Sequence, residues 1–418
     1  MIRINFIVLT EPKNVDDFYP FSVLHPLWEL RYGAFRMFEK VEQEFPGSVI
    51  IYRGRKNQTE LFRDKFDVED RELQKGNILI INSAALIDST FWDELSRHLV
   101  ANPNQTFMLK KDNVPVAAYL HESNYVENLE ETDITNLDSM FLNNFKIIEA
   151  QEMRLLKYLY EIIYLIGDAI DYDYQMFRNH APFSDMKFPG VILVKNKMNI
   201  KIGKNVRISP TVVIDTTGGP VIIDDNAYIM PQATILGPAY IGKNTIVKVG
   251  AKIYPQTCIG EYCKVGGEIE DVVFQGYSNK QHDGFLGHSF ISEWVNLGAD
   301  TNNSDLKNTY GRIKLRFKGK TVDTGEMFMG LLCGDHTKTA INTRFNTGTV
   351  CGIGAIIFEA DFPPVFIPSF TWGGDKTLKA YKVENAIDTA KVMMKRRAKK
   401  LHPIEAALMK EEHAKRLK

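Results

Sequence analysis

Three histidines in the second half of the chain are of a residue type that moves protons near neutral pH. His282 and His288 lie in the run 280–288, and His336 lies in the run 332–343. An imidazole titrates near neutrality, so each of them can act as a general base. Each can equally be a hydrogen-bonded structural residue at an interface between subunits. The residue type therefore indicates proton transfer. Which of the three histidines acts as the base has to be decided from its position in the fold.

A row of cations follows the first two histidines. Lysine and arginine alternate with other residues from 312 to 320, so that five cations share one face of a predicted strand: Arg312, Lys314, Arg316, Lys318 and Lys320. Such a strand suits a sugar phosphate or the phosphates of coenzyme A. The alternative is an ordinary solvated edge that protects against aggregation.

A six-residue repeat predicts the elements that position these side chains. A branched aliphatic residue recurs every sixth position at Ile202, Ile208 and Ile214, and again at Ile223, Ile229, Ile235, Ile241, Val247, Ile253, Ile259 and Val265. A turn-forming insert at 216–220 explains the longer step after Ile214. A period of six marks short strands and tight turns that stack as a solenoid, with each aliphatic residue pointing inward.

The repeat breaks between Gly266 and Phe285, immediately around His282. Segments that leave a rigid solenoid are where function is usually placed. The register is predicted to return at Phe285, Ile291 and Leu297, and later at Ile341, Thr347 and Ile353.

The hexad pattern resembles the left-handed parallel β-helix of acyl- and acetyltransferases, and the handedness comes from that resemblance. Residues 280–301 resemble more closely the acetyltransferase half of the bacterial and archaeal bifunctional enzymes that make UDP-N-acetylglucosamine. In that family a lysine shortly precedes a histidine, an aromatic residue follows three positions later, and an Asn-aliphatic-Gly-Ala-x-Thr element begins fourteen positions after the histidine. Here these positions are Lys280, His282, Phe285 and Asn296–Thr301. The family has tyrosine at Phe285, and glycine and asparagine where this chain has Asp300 and Asp305.

The resemblance implies roles for specific residues. His282 would be the catalytic base, Asn296 a group that orients the sugar, and His336 a second imidazole of the active site. Lys280, Phe285, Arg312 and Lys314 would contact the substrate. The acyl-CoA would lie along the coils at Ala299, Thr301, Asp305, Thr339 and Ala340. The family assembles as a homotrimer with sites in the clefts between subunits.

The first 140 residues read as a separate α/β domain, because apolar strands alternate with segments of helix length. Their order resembles the nucleotidyltransferase domain that precedes the β-helix in the same bifunctional enzymes, and residues 20–31 sit where that family has a proline-centred substrate loop. Active members have a glycine-rich loop after the first strand, but residues 10–14 here contain no glycine. Asn82 stands where the family has a Mg²⁺-binding aspartate, so magnesium is expected only if this domain is active. Arg31, Arg53, Arg55 and Lys56 are the predicted partners for a phosphate there, and the alternative is that they are solvated surface charges.

The predicted organisation is an α/β nucleotidyltransferase-like domain at 1–140 and a helical connector at 141–185. A left-handed β-helix at 186–372 and a basic helical segment at 373–418 complete it. The formal net charge of −1 gives no sign of nucleic acid binding, and no apolar run approaches a membrane span. The expected location is the cytoplasm. The cysteines Cys258, Cys263, Cys333 and Cys351 show no metal-site spacing and are predicted to be reduced and buried.

The leading interpretation is a transferase of a sugar-nucleotide pathway, of the kind used in cell-envelope biosynthesis. It would transfer an acyl group from acetyl-CoA, or another acyl-CoA, to an amino sugar phosphate or a nucleotide sugar. Two alternatives remain open. One is a sugar-1-phosphate nucleotidyltransferase with an atypical metal site, and the other is a non-catalytic trimeric protein that binds a nucleotide sugar.

Overall fold

The structure, a computed structural model, describes residues 3–123, 146–177, 181–182, 188–195, 197–358, 361–373 and 378–416. The chain forms two compact units. Unit 1 comprises residues 1–18, 24–30 and 35–159, and unit 2 comprises 19–23, 31–34 and 160–418. The predicted boundaries at 140/141 and 185/186, and residues 141–145 of the predicted connector, border on or lie outside the described residues.

Unit 1 is built on a mixed six-stranded sheet in the order β2-β1-β3-β5-β4-β6. Its strands are β1 Phe6–Thr10, β2 Val49–Arg53, β3 Gly76–Asn82, β4 Phe107–Lys111, β5 Val114–Ser123 and β6 Lys146–Glu149. Strand β1 runs parallel to β2 and β3, and β5 runs antiparallel to β3 and β4. The helices are α1 Met37–Glu44, α2 Lys56–Phe66 and α3 Ser89–Ala101. The predicted α/β architecture of the N-terminal domain is confirmed.

Helix α3 begins where its sequence provides a cap. The Asp88 carboxylate accepts a hydrogen bond of 2.9 Å from the backbone N–H of Phe91, which satisfies one of the free N–H groups of the first turn. Short 3-10 helices lie at Val15–Phe18, Phe21–Val23, Leu27–Glu29, Leu159–Leu165 and Lys197–Asn199.

The predicted helical connector is only partly helical. Lys146–Glu149 is the edge strand β6, which pairs in parallel with β4, because an exposed sheet edge offers hydrogen bonds that its alternating pattern can use. Helical structure starts at Leu159 and continues into α4, Ile166–Tyr174, which packs on two coils of the solenoid within unit 2.

Unit 2 is a parallel β-solenoid with three faces. Face 1 contains Ile192–Val194, Val213–Asp215, Thr234–Leu236 and Lys252–Ile253, and continues as Asn302–Asn303 and Arg344–Phe345. Face 2 contains Ile200–Ile202, Val221–Ile223, Ala239–Ile241, Thr257–Ile259, Leu331–Cys333, Thr349–Cys351 and Phe366–Ile367, with Ala181–Pro182 antiparallel at its start. Face 3 contains Arg207–Ile208, Tyr228–Ile229, Ile246–Val247, Lys264–Val265, Asn279–Lys280, Lys338–Thr339, Ile356–Ile357 and Thr371–Trp372, with Lys379–Ala380 antiparallel at its end.

Two strands are longer than the others and turn the corner from face 1 to face 2. They are Glu268–Phe274 and Phe285–Ile291, and they pair with each other along both faces. Their lengthening explains why the aliphatic repeat lapses at Gly266, since each coil here replaces two short strands by one long one.

The repeat predicts the core correctly in the first coils. The eight hexad residues from Ile223 to Val265 are each at most 1% exposed and form one stacked core. A buried aliphatic side chain of this size stabilises the fold by about 1.5–3 kcal/mol. The predicted solenoid is therefore confirmed as a parallel one, and its handedness stays an inference from the resemblance.

The predicted register is wrong in two places after the break. Leu286, not Phe285, points inward, because it pairs with the inward Ile269 of the preceding coil. In the last coils the buried series is Cys333, Thr339, Phe345, Cys351 and Ile357, again six residues apart, whereas Ile341 is 68% exposed. Cysteine and threonine took the place of branched aliphatics there, and this concealed the repeat.

All four cysteines are buried and free, as predicted. After the solenoid the chain forms α5, Val383–Lys395, and α6, Pro403–Arg416, which confirms the predicted C-terminal helices. Among the described residues no helix has both the length and the apolar character needed to cross a membrane.

Candidate functional site

His282 lies on the turn between Asn279–Lys280 of face 3 and the long strand Phe285–Ile291. Its side chain is exposed, and no hydrogen bond of its imidazole is found among the described residues. Its backbone carbonyl accepts a hydrogen bond of 2.8 Å from the Lys280 ammonium. The imidazole therefore projects from a turn whose backbone is held in place.

Lys280 holds that turn from inside the solenoid. It pairs with Val265, is 1% exposed, and donates to the carbonyls of Gly266 at 3.2 Å, His282 at 2.8 Å and Asp283 at 3.2 Å. An ammonium has three N–H groups, so its donors are all in use. Burial lowers the pKa of Lys280 to about 8. Lys280 thus positions the turn, and the predicted contact with a substrate phosphate stays a prediction.

Asn296 lies on the outer surface of face 3, one coil beyond Asn279. Its backbone forms isolated bridges to Asn279 and to Lys338, while its neighbours Val295 and Leu297 point into the core. The side-chain N–H of Asn279 donates to the side-chain oxygen Oδ1 of Asn296 at 3.4 Å. The solenoid therefore places Asn296 one coil from the turn that carries His282.

Phe285 is half-buried at the start of its strand, and its backbone N–H donates to Asn302 at 2.7 Å. Thr301 and Thr339 are buried and share a hydrogen bond of 2.9 Å between their hydroxyls. Ala299 and Ala340 are half-buried on the coils beside them. Their predicted contact with the acyl donor stays a prediction, and the threonine hydroxyls already have partners.

His288 has the carboxylate environment that His282 lacks. Its Nδ1 lies 2.8 Å from Asp305 Oδ2, its Nε2 lies 3.7 Å from Asp271 Oδ2, and its ring stacks on Phe328 at 5.1 Å. The Tyr164 ring is 6.3 Å away. The predicted acyl-CoA residue Asp305 therefore bonds an imidazole, which the sequence did not indicate.

The carboxylates of this cluster have unusual proton affinities. Burial raises the pKa of Asp271 to about 6, with Glu270 and Asp305 adding to the effect. Burial also raises the pKa of Glu270. For His288, burial lowers the pKa, but the hydrogen bond to Asp305 and the charges of Asp271 and Glu270 outweigh it, so the net pKa is raised. The cluster favours a protonated imidazole, which is less suited to serve as a base.

Replacing Asp305 by asparagine is expected to lower the pKa of His288, because burial then meets less opposition. In the wild type, protonated His288 adds to the free energy of unfolding. This contribution is fully present below about pH 6.5, the pKa of an unfolded histidine, and is lost as the pH rises through the pKa of His288 in the folded protein. An NMR titration of the His288 Cε1 proton measures the shift. The exposed Asp283→Asn is the matched control, and an unchanged His288 pKa in Asp305→Asn contradicts the assignment.

His336 is enclosed rather than exposed. It is 2% exposed, its Nε2 lies 2.8 Å from Glu405 Oε1 of α6, and its ring stacks on Trp294 at 6.5 Å. His336 continues a column of left-handed turn residues, Tyr262, Tyr277 and Trp294, whose φ values lie between 53° and 59°. In this position it joins α6 to the solenoid, and its predicted role as a second active-site imidazole stays untested.

The cationic strand is one half of a hairpin, Lys314–Phe317 with Lys320–Asp323. Arg312, Lys314 and Arg316 are exposed, whereas Ile313, Leu315 and Phe317 are buried, so the alternation is confirmed up to Phe317. The chain then turns at Lys318 and Gly319, and Lys320 begins the returning strand, so the prediction that five cations share one face of a single strand is wrong. Lys314 Nζ lies 4.0 Å from Asp323 Oδ2. The cations form an accessible face, and the contact of Arg312 and Lys314 with a substrate stays a prediction.

In unit 1 the loop after β1 is occupied by a carboxylate of the protein itself. Glu11 is 6% exposed and accepts hydrogen bonds from Arg55 Nε at 3.0 Å, Arg55 Nη2 at 2.8 Å and the Leu27 backbone at 3.1 Å. The predicted phosphate partner Arg55 is therefore engaged with an internal anion.

Asn82 is fully buried at the end of β3. Its amide donates to the Pro115 carbonyl at 2.9 Å, and its oxygen accepts from the Ala84 backbone at 2.9 Å. Across the described residues no cluster of three or more histidine, cysteine or acidic side chains has the arrangement of a metal site. The donor set around Asn82 does not fit a magnesium ion.

Comparisons with known proteins agree with the two-part organisation. Residues 7–181 match the family model described as a sugar nucleotidyl transferase. The chain is 29% identical over 271 residues to a bifunctional sugar-1-phosphate nucleotidylyltransferase/acetyltransferase of Sulfurisphaera tokodaii, which covers 62% of this chain and 65% of that protein. It is 31% identical over 182 residues to the bifunctional protein GlmU of Methanocaldococcus jannaschii, covering 41% of this chain and 44% of that protein.

A solved UDP-N-acetylglucosamine acyltransferase from Campylobacter jejuni aligns with 52% of this chain and 79% of its own, at 16% identity and a TM-score of 0.31. The match to the two curated relatives spans 65% and 44% of their own lengths. Residues 7–181 thus match a sugar nucleotidyl transferase model, and a parallel β-solenoid with a six-residue repeat follows in the chain.

Proposed function

We propose that the protein is a sugar-nucleotide-pathway transferase whose solenoid transfers an acyl group from acetyl-CoA, or another acyl-CoA, to an amino sugar phosphate or a nucleotide sugar. The observation that carries the proposal is the exposed imidazole of His282 on a turn fixed by Lys280, one coil from Asn296. The similarity to a bifunctional nucleotidylyltransferase/acetyltransferase supports the same reaction class.

In the proposed step the amine nitrogen of the sugar attacks the thioester carbonyl, and His282 takes a proton from that nitrogen. The new C–N bond forms and the C–S bond breaks, so the thiolate of coenzyme A leaves. The proton held by the imidazole can then pass to that thiolate. The Asn296 amide is suited to orient the sugar or to donate to the developing oxyanion.

The same proposal includes a cytoplasmic homotrimer. An exposed base needs a second surface to exclude water and hold the substrates, and the flat outer faces of a solenoid offer one to a neighbouring subunit. The exposed cations Arg312 and Lys314 are then available to the phosphate of a substrate.

Nucleotidyl transfer by unit 1 is the second candidate, favoured by the match of residues 7–181 to the sugar nucleotidyl transferase model. The internal carboxylate of Glu11 and the satisfied amide of Asn82 oppose it, because Arg55 already bonds Glu11 and the side-chain oxygen of Asn82 already accepts from Ala84. Unit 1 has a nucleotidyltransferase-like architecture, but its Arg55 and Asn82 are not arranged to bind a nucleoside triphosphate with magnesium.

Two parallel assays test these candidates. Free thiol release from acetyl-CoA is measured against a panel of amino sugar phosphates and UDP-linked amino sugars, and pyrophosphate release is measured with Mg²⁺, nucleoside triphosphates and sugar 1-phosphates. We expect thiol release and no pyrophosphate. Pyrophosphate without thiol would establish the second candidate, and saturable binding of a nucleotide sugar without either product would establish a non-catalytic binding protein.

A further inference from the structure

A pocket of about 570 Å³ lies on the outer surface of face 3, beneath α5 and the residues that follow it. Four cations line it: Lys264 and Lys338 from face 3, and Arg396 and Arg397 from the end of α5. The amides of Asn279 and Asn296 also line it. Both arginines belong to the basic helical segment predicted at 373–418, and Arg397 is half-buried whereas Arg396 is exposed at the rim of the pocket.

The pocket has a large excess of positive charge. Asp388 is its one acidic lining residue, and the Asp388 carboxylate already lies 3.0 Å from the Lys391 ammonium. In the part of the chain that the structure describes, no ion pair within 4.0 Å neutralises Lys264, Lys338, Arg396 or Arg397. Charges of like sign that gather without a counter-ion favour an anion as the missing partner.

The pKa values of the two lysines are consistent with this repulsion among like charges. Burial lowers the pKa of Lys264, and the charges of Arg397 and Arg396 lower it further. Burial also lowers the pKa of Lys338, to about 8. An anion in the pocket would oppose both effects and hold these groups in their charged form.

The pocket is also held in shape before any ligand arrives. Arg397 Nη2 donates to Asn279 Oδ1 at 2.9 Å, and Lys338 Nζ donates to the His336 carbonyl at 2.7 Å. Met394 of α5 packs against the stacked rings of Tyr277 and Trp294, whose centroids are 4.5 Å apart. A preorganised site loses less entropy when it binds a ligand.

We propose that this pocket binds a phosphorylated small molecule that carries at least two negative charges, with its phosphates on Arg396, Arg397 and Lys264 and its remainder against the apolar wall of Val392 and Met393. A half-open pocket of about 570 Å³ fits a small molecule and not a nucleic acid duplex. The pocket shares Asn296 with the proposed acyl-transfer site. The anion contacts proposed at Arg396, Arg397 and Lys264 do not use His282, so they can be tested without acyl transfer.

The test is calorimetric titration of the full chain with inorganic phosphate, inorganic pyrophosphate and UDP-N-acetylglucosamine at constant ionic strength. We expect saturable binding of pyrophosphate in preference to phosphate, and a loss of at least about tenfold in affinity for Arg396→Gln/Arg397→Gln. Lys395→Gln/Lys399→Gln is the matched control, because it removes the same charge from exposed neighbours outside the pocket.

Two further measurements keep the inference falsifiable. Lys264→Gln leaves the end of α5 untouched and should weaken pyrophosphate binding as well, so a folding defect of the arginine variant cannot mimic the result. Affinity should also fall as the pH rises through about 8, where Lys338 loses its proton. Tighter binding of the nucleotide sugar than of pyrophosphate would show that the apolar wall contributes. Equal losses in the control variant, or no saturable binding of any of the three probes, would overturn the inference.

Discussion

Replacing His282 by alanine is expected to lower kcat/KM for acetyl-CoA-dependent thiol release by about 10²- to 10⁴-fold, the usual contribution of a general base. The imidazole is exposed and makes no hydrogen bond to any described residue, so its removal should leave the fold unchanged. The measurement is steady-state thiol release on the acceptor found in the panel, with the melting temperature as a check on folding.

The matched comparison is His288→Asn. If His282 is the base, this variant retains most of the activity, because the His288 imidazole bonds Asp305 and its raised pKa favours the charged form. Added imidazole should restore part of the activity of His282→Ala, which a purely structural role would not allow. An active His282→Ala beside an inactive His288→Asn would transfer the catalytic role to the carboxylate cluster.

The fold was largely readable from the sequence because a solenoid repeats one local interaction. Each inward residue packs on the equivalent residue of the coil below. The same six-residue spacing therefore predicts the burial of both Ile223 and Val265 without knowledge of distant contacts. The rule failed where the chemistry of the inward residue changed, as at Cys351, and where a long strand replaced two short ones, as before Leu286.

The candidate site was less readable, because spacing along the chain does not show what a side chain touches. Nothing in the run 280–288 indicates that Lys280 points inward and that its ammonium donates hydrogen bonds to three backbone carbonyls. The partners of His288 are Asp271, one coil before it, and Asp305, one coil after it. The available signal was the spacing of Asp271, His288 and Asp305 at intervals of seventeen residues, which places them on consecutive coils at the same corner.

Arg31 shows the same difference between residue type and environment. The sequence suggested a phosphate ligand, but the structure assigns residues 31–34 to unit 2, where Arg31 is 2% exposed. Its guanidinium donates to the carbonyls of Gln275 at 3.1 Å and Ala34 at 2.5 Å and to the Glu261 carboxylate at 2.7 Å. The expectation that Arg31 binds a phosphate is therefore wrong, because its donors are bound inside the protein.

Arg31→Met is accordingly expected to lower the free energy of unfolding of unit 2 by about 3 kcal/mol, at the lower end of the range for breaking a buried ion pair. Two carbonyls lose a donor, and the Glu261 carboxylate, only 17% exposed, is left without this partner. Urea unfolding of the full chain measures the change, and the exposed Arg316→Met, expected to change stability by less than about 0.5 kcal/mol, is the control.

Glu261→Gln and the double variant complete a cycle for this pair. Because the two side chains form one buried ion pair, the double variant should be less destabilised than the sum of the two single variants, with a coupling of about 1–3 kcal/mol. Additive effects would mean that the packing of the arginine stem, and not the ion pair, holds residues 31–34 on the solenoid. A stable Arg31→Met that loses binding of a sugar phosphate would instead restore the role that the sequence suggested, and the buried geometry around Gln275 argues against that result.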